Sequence, residues 1–157
     1  MNPPPAVAGI DHLNIVVRDL DRSLDFYCRL LGFREVLRTT LEGDWIGRIV
    51  GLEGVRAEVA FVVAPGGEPR IELLRYHHPG GEPVARNSQP NTPGLRHIAL
   101  RVAELAPLME RLRAEGVAFF GEPVKVPGGA VHHEAGEKEL VYFTDPDGVI
   151  LELCQYR

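Results

Sequence analysis

Two glutamates in this chain interrupt runs of apolar residues. Glu152 lies within Val-Ile-Leu-Glu-Leu (149–153), and Glu72 lies within Ile-Glu-Leu-Leu (71–74). An ionised carboxylate that is buried in a strand costs several kcal/mol unless it pairs with a cation or binds a metal ion. We therefore expect each glutamate to have a cation beside it.

Two histidines begin similar apolar segments, one in each half of the chain. His12 opens His-Leu-Asn-Ile-Val-Val, and His97 opens His-Ile-Ala-Leu-Arg-Val. In both halves a segment with apolar residues at helical spacing follows, and each segment ends at a glycine, Gly32 in the first half and Gly116 in the second. This repeated order indicates an internal duplication.

The two copies share one predicted order of elements, β-α-β-β-β. In the first copy we predict strands at 10–18, 33–40, 58–64 and 70–76, a helix capped by Asp19 or Asp21, and an irregular segment at 41–54. In the second we predict strands at 97–102 and 117–127, a helix from 105 to the glycine at 116, a loop at 128–138, and a hairpin at 139–156 that turns at Asp-Pro-Asp-Gly. The predicted fold is α+β and a single domain over 1–157. Its tandem βαβββ modules, 9–76 and 95–157 with a linker at 77–94, form a half-open mixed β-sheet cup with helices outside.

The histidines and glutamates occupy matched positions in this repeat. His12 and His97 each open the first strand of a copy, and Glu72 and Glu152 each lie in the last strand. A single strand histidine or glutamate is usually structural, but packing alone does not require four such residues at matched positions. If the strands curl into a cup, two imidazoles and two carboxylates meet at its floor. We predict that they bind one divalent metal ion, Zn, Ni, Co, Mn or Fe, with positions left open for substrate or water.

Other residues are candidates for supporting roles. Two histidine-containing runs, His-His at 77–78 and His-His-Glu at 132–134, lie in Gly/Pro-rich segments. These histidines are either solvated or part of a lid over the site. Glu58 begins a strand, and the alternatives for it are an exposed carboxylate at the strand end or a second base near the cup. Trp45 is the only tryptophan, and its apolar neighbours at 46–52 predict either a wall of an apolar substrate pocket or a part of the core.

Composition limits the classes of function. The 157 residues carry a net charge of −5 without a cluster of Lys or Arg, which argues against nucleic-acid or anionic-membrane partners. The apolar runs are of strand length, and the N-terminus lacks the pattern of a secretion signal. Cys28 and Cys154 lie in periodic apolar segments, so we expect buried free thiols in a cytoplasmic protein with a small-molecule substrate.

The motifs also carry a family resemblance over residues 10 to 156. Asp-His-Leu-Asn-Ile-Val-Val (11–17), Ser-Leu-Asp-Phe-Tyr (23–27), Leu-Gly-Phe (31–33), Gly-Leu-Arg-His-Ile-Ala (94–99) and Asp-Pro-Asp-Gly-Val-Ile-Leu-Glu (145–152) resemble the vicinal oxygen chelate superfamily. Glyoxalase I, methylmalonyl-CoA epimerase, extradiol dioxygenases and bleomycin-binding proteins belong to it. The resemblance implies the same four metal positions and, by analogy, a homodimer. The linker is long enough for the two copies to pair within one chain or between two chains.

Four ligating side chains favour isomerase or lyase chemistry over the alternatives in that superfamily. Two neighbouring oxygens of a substrate would chelate the metal, which acidifies an adjacent C–H, and Glu152 or Glu72 would remove the proton to give an enediolate. We therefore expect a reaction like that of lactoylglutathione lyase or of an acyl-CoA epimerase. The alternatives are an Fe(II) ring-cleaving dioxygenase, which needs no carboxylate at the position of Glu72, and a metal-free drug-binding protein with a ligand cup around Trp45.

Overall fold

The computed structural model of the protein describes residues 7–83, 89–127 and 135–157. The chain divides into two compact units, residues 1–82 and residues 83–157. Each unit contains a four-stranded mixed sheet, and the strands of the two sheets follow the same order. This confirms the predicted α+β fold of tandem βαβββ modules.

The first unit contains strands β1 to β4 in the order β1-β4-β3-β2. Their bounds are β1 His12–Val16, β2 Arg34–Glu42, β3 Arg56–Ala64 and β4 Gly67–His78. The first and last strands, β1 and β4, are parallel neighbours, whereas β3 is antiparallel to both β2 and β4. The parallel pairing places the start of β1 directly beside the middle of β4.

One continuous helical segment follows β1. It begins as helix α1 (Leu20–Leu24), capped by the carboxylate of Asp19, and continues as a π-helix over Asp25–Leu30. The wider turn shifts the buried face, so Leu30 is buried and Leu31 is only partly buried. Gly32 ends the segment with a φ of 78°, as predicted.

The segment predicted to be irregular, 41–54, contains a short helix. Strand β2 continues to Glu42, and helix α2 follows over Asp44–Val50. The prediction was wrong because Gly43 offers no side-chain cap and Gly47 lowers the helix propensity. Burial of Ile46 stabilises the helix instead: Ile46 packs in an apolar cluster with Val55, Ala57, Val59 and Leu74.

The second unit contains strands β5 to β8 in the order β5-β8-β7-β6. Their bounds are β5 His97–Arg101, β6 Val124–Lys125, β7 Lys138–Thr144 and β8 Ile150–Tyr156, and helix α3 covers Leu105–Ala114. The predicted strand at 117–127 was too long. Its region contributes an isolated bridge between Phe119 and Phe143 and the two residues of β6, because Gly121 and Pro123 interrupt regular pairing.

The predicted C-terminal hairpin is present, and its turn is tightly bonded. Asp145 is buried, and its Oδ1 accepts hydrogen bonds of 2.9 Å from the backbone N–H groups of Asp147 and Val149. Gly148 has a φ of 91°, which a residue with a Cβ rarely adopts. None of the helices in the described ranges is long and apolar enough to cross a membrane.

Candidate functional site

Two of the four predicted ligands, His12 and Glu72, lie close together within the first unit. His12 begins β1, and Glu72 lies in β4 opposite Asn14, two residues after the histidine. Because side chains alternate along a strand, His12 and Asn14 lie on one face of the sheet. The Nε2 atom of His12 is 3.5 Å from Oε2 of Glu72.

Polar neighbours orient both members of this pair. Nδ1 of His12 lies 2.7 Å from Oδ2 of Asp11, an arrangement that leaves Nε2 directed at the glutamate. The side-chain amide of Asn14 donates a 2.8 Å hydrogen bond to Oε2 of Glu72. The hydrogen bond with His12 has the largest effect on the pKa of Asp11 and lowers it, and the hydrogen bond with Arg70 lowers it further. Metal-binding histidines are commonly oriented by such a carboxylate on the second ring nitrogen.

The other two predicted ligands, His97 and Glu152, lie close together within the second unit with the same spacing. His97 begins β5, and Glu152 lies in β8 opposite Ala99, again two residues after the histidine. The Nε2 atom of His97 is 3.5 Å from Oε2 of Glu152. The Glu152 side chain is only 3% exposed, against 17% for Glu72.

A lysine compensates the buried charge of Glu152. The ammonium of Lys138 lies 2.5 Å from Oε1, the carboxylate oxygen that does not face His97. The contact is an ion pair between a largely buried ammonium and a buried carboxylate. Burial acts to lower the pKa of Lys138, but Glu152 outweighs it and the net pKa is raised. Lys138 is thus the cationic partner expected for this glutamate.

Tyr142 completes the surroundings of the second pair. It lies opposite Glu152 in the register of β7 and β8, and its ring centroid is 5.1 Å from that of His97. Burial, followed by the charge of Glu152, raises the pKa of the Tyr142 hydroxyl. In the first unit the position opposite Glu72 is Phe61, whose ring meets His12 edge-on at 5.5 Å.

The geometry of each pair fits two ligands of one metal ion. Two donor atoms that each lie about 2.1 Å from an ion, at a tetrahedral angle, are about 3.4 Å apart. Both Nε2 to Oε2 separations are 3.5 Å, which is long for a direct hydrogen bond. Within neither unit do the described residues form a group of three or more His, Cys, Asp or Glu side chains suited to a metal. Each unit therefore offers two donors, an imidazole nitrogen and a carboxylate oxygen.

Two of the other candidates have structural partners. Glu58 precedes Phe61 by three residues on β3, so it lies on the face of the sheet opposite to Glu72, and the role of a second base there is wrong. His77 belongs to β4, not to a loop, and its Nε2 lies 2.8 Å from Oε2 of Glu58. The segment 132–134 lies outside the described residues.

Trp45 lies on α2 and is half exposed. It is absent from the apolar cluster around Ile46, so its assignment to the core was wrong. A cavity of about 610 Å³ borders the same helix and is lined by glycines 43, 47, 51 and 54 with Arg48 and Val55 among others. Neither Trp45 nor the histidine–glutamate pair of this unit lines that cavity.

Sequence reasoning missed the residues that hold the two pairs. Asp11, Asn14, Lys138 and Tyr142 all lie within hydrogen-bonding or ring-contact range of a predicted ligand. Strand alternation alone could have found Asn14, because it follows His12 by two residues. Lys138 could not be found in this way, because its contact depends on the register between β7 and β8.

The chain is similar to known proteins along nearly its whole length. Residues 9–153 match the Glyoxalase/Bleomycin resistance protein/Dioxygenase superfamily. A 2-epi-5-epi-valiolone epimerase of Actinomyces sp. is 30% identical over 95% of this chain and 80% of its own length. A probable lactoylglutathione lyase of Synechocystis sp. is 31% identical over 92% of both chains.

Solved structures agree with the sequence comparison. The crystal structure of a glyoxalase family protein from Bacillus cereus is 27% identical, covers 99% of this chain and 98% of its own, and superposes with a TM-score of 0.82. The matched range, 9–153, contains both histidines that start a module and both glutamates of the last strands. The chain therefore belongs to the Glyoxalase/Bleomycin resistance protein/Dioxygenase superfamily.

Proposed function

We propose that the protein is a divalent-metal-dependent isomerase or lyase that acts on a small oxygenated substrate by moving a proton next to a carbonyl group. His12, Glu72, His97 and Glu152 are the proposed metal ligands. The observation that carries the proposal is the equal 3.5 Å spacing of the two histidine–glutamate pairs, a spacing that suits two ligands of one ion. The names of two relatives, an epimerase and a probable lactoylglutathione lyase, support the same class of reaction.

The chain supplies the groups that such a reaction needs. When bound, a divalent ion would polarise the substrate carbonyl and make the neighbouring C–H more acidic. His12 and His97 are the nitrogen donors that would hold their positions through the reaction. A glutamate carboxylate removes the proton to give an enediolate and returns it to the same or the neighbouring carbon. Asp11 orients His12 for this purpose through its Nδ1 contact of 2.7 Å.

Deuterium exchange tests the proposed reaction even when its product is unidentified. The protein, loaded in turn with Zn²⁺, Ni²⁺, Co²⁺ and Mn²⁺, is incubated in D₂O with three probes. These are the hemithioacetal of methylglyoxal and glutathione, 2-epi-5-epi-valiolone and methylmalonyl-CoA. Metal-dependent uptake of deuterium at the carbon next to the carbonyl supports the proposal. Oxygen consumption with a catechol on the Fe²⁺ protein, and no exchange, would instead indicate the ring-cleaving dioxygenase.

We also propose that Trp45 contacts the substrate. Half of its surface is exposed, and it is the only tryptophan, so its fluorescence reports on this position alone. A saturable change in emission when an exchanging probe is added to the metal-loaded protein supports the contact. Unchanged emission at saturation would remove Trp45 from the site. Quenching by a planar drug in metal-free protein would favour the binding-protein alternative.

The predicted homodimer is retained as a proposal. Light scattering at several protein concentrations tests it, and a mass of about one chain, 17.3 kDa, at all of them would contradict it.

A further inference from the structure

The two carboxylates of the proposed site are held in different ways. Glu152 carries a partner on each oxygen: Lys138 is 2.5 Å from Oε1, and His97 is 3.5 Å from Oε2. The contacts of Glu72 with the described residues both fall on Oε2, where Asn14 donates at 2.8 Å and His12 lies at 3.5 Å. Glu152 therefore has a neighbour at each oxygen, one of them a lysine in direct contact, whereas both neighbours of Glu72 lie at the same oxygen.

The difference arises at matched positions of the two sheets. In the second unit, Lys138 lies four residues before Tyr142 on β7 and pairs with Tyr156. In the first unit, the residue four before Phe61 on β3 is Ala57, which pairs with Tyr76. Ala57 is therefore the match of Lys138. An alanine cannot supply a cation. Asn14 supplies the partner in the first unit, and its matched residue in the second unit, Ala99, cannot donate from its side chain. A charged partner in one unit thus replaces a neutral one in the other.

Burial adds to the difference in freedom. The side chain of Glu152 is 3% exposed, and that of Lys138 is 16% exposed, so a turn of the glutamate away from the lysine would leave two poorly solvated charges. Glu72 is 17% exposed, and if it turned it would give up a hydrogen bond from a neutral amide and no ion pair with a lysine. A carboxylate that takes a proton from substrate must come within hydrogen-bond reach of that proton. A glutamate that can turn at low cost reaches it more easily than one that is held by an ion pair.

We propose that Lys138 is a positioning residue that fixes Glu152 as a static, one-oxygen metal ligand, and that Glu72 is the catalytic residue that moves the proton. This inference rests on the proposed function, and it assigns different tasks to two glutamates that the repeat makes look equivalent.

Unfolding of metal-free protein tests the fixing of Glu152 independently of any substrate. The variants are Lys138→Met, Glu152→Gln, their double variant, and Lys138→Arg. We expect Glu152→Gln to lower Tm by about 5 °C, the double variant to fall no further, and Lys138→Arg to stay within about 2 °C of the parent. If Glu152→Gln does not fold but the double variant does, the result shows the same coupling between Lys138 and Glu152. Losses that simply add would overturn the fixing role.

Metal titration separates the two carboxylates. Competition with a chromophoric chelator for Zn²⁺ gives the affinity of Glu72→Gln and Glu152→Gln, with Glu53→Gln, an exposed residue of the same unit as Glu72, as the control. We expect Glu152→Gln to weaken binding at least about tenfold more than Glu72→Gln. Equal losses in the two variants would overturn the division of tasks.

Exchange in D₂O then tests which glutamate moves the proton. With the probe that exchanges in the parent protein, Glu72→Gln with its metal restored should lose about 100-fold or more of the exchange rate. Adding Lys138→Met to Glu72→Gln frees Glu152, and we expect at least about tenfold recovery, which a purely structural lysine would not give. Exchange retained in Glu72→Gln would overturn the role of Glu72. If no probe exchanges in the parent protein although the unfolding and titration results hold, the proposed reaction fails and the fixing of Glu152 stands.

Discussion

The ammonium of Lys138 lies 2.5 Å from Oε1 of Glu152, while Oε2 of the same carboxylate faces Nε2 of His97 at 3.5 Å. The sequence predicts a cation beside the buried Glu152, and Lys138 is such a cation at Oε1, the oxygen farther from His97. The near oxygen keeps the spacing of a metal ligand beside the histidine. The lysine and a metal ion therefore need not exclude each other, because they use different oxygens.

Replacing Asn14 tests how the first pair is oriented. Asn14→Ala gives the first unit the residue that the second unit has at Ala99, and it removes the 2.8 Å hydrogen bond to Glu72. We expect Zn²⁺ affinity to fall about tenfold, because a glutamate without this partner is less well placed, with Tm nearly unchanged at an exposed position. Chelator competition measures the affinity. Asn91→Ala, in an exposed loop, is the control, and equal affinities in both variants would contradict the role of Asn14.

The contacts of Glu58 with His77 and Arg38, on the face of the first sheet opposite to Glu72, predict a pH dependence of stability. The hydrogen bond with His77 lowers the pKa of Glu58 from its ordinary value of 4.5, and Arg38 lowers it further against the effect of burial. A lowered pKa contributes stability that is present above pH 4.5 and is lost as the pH falls through the folded-state value. Glu58→Gln should therefore lower Tm by about 2 °C at pH 6, and the difference should shrink below pH 4.5. Thermal unfolding across this range measures the effect, and a gap that widens in acid would contradict it.

Loss of the turn carboxylate should destabilise the second unit. Asp145→Ala leaves the N–H groups of Asp147 and Val149 without their acceptor in a partly buried turn. We expect the free energy of unfolding to fall by about 2 kcal/mol, measured by urea denaturation. Asp145→Asn keeps an acceptor oxygen and should lose less than half as much. Equal losses in the two variants would indicate that the negative charge, not the hydrogen bonds, is what matters.

An alanine in α2 should reduce stability even though alanine favours helices. A Cβ at position 47 would lie 2.7 Å from the backbone oxygen of Leu52, closer than a real Cβ approaches such an atom. We expect Gly47→Ala to lower the free energy of unfolding by about 1 kcal/mol, because the end of the helix must shift. Gly66→Ala, with open space around the added Cβ and no positive φ, is the control. A more stable Gly47→Ala protein would show that helix propensity outweighs the contact.

The repeat in the sequence was sufficient to predict the two modules. His12 and His97, each opening a strand, and Glu72 and Glu152, each in an apolar run, define local patterns that periodicity detects. Helix α2 escaped prediction because its stability comes from packing of Ile46, which is a tertiary effect.

The partners of the pairs were harder to predict, since they depend on strand register. The sequence pattern predicts Lys138 at the end of a loop. Only its pairing with Tyr156 brings it to the carboxylate of Glu152, which lies four residues before Tyr156 on β8. The side of the sheet on which Glu58 lies depends in the same way on the alignment of β3 with β4.

Metal content tests the central claim most directly. The protein is purified without chelators or a metal-binding tag, beside His97→Ala and Glu72→Ala, and its Zn, Ni, Co, Mn and Fe are determined by elemental analysis before and after reconstitution. We expect about one divalent ion per chain in the parent protein and a substantial loss in both variants. Iron retained in Glu72→Ala but lost in His97→Ala would contradict the four-ligand site and indicate the dioxygenase. Absence of metal from all three proteins after reconstitution would contradict a metal enzyme altogether.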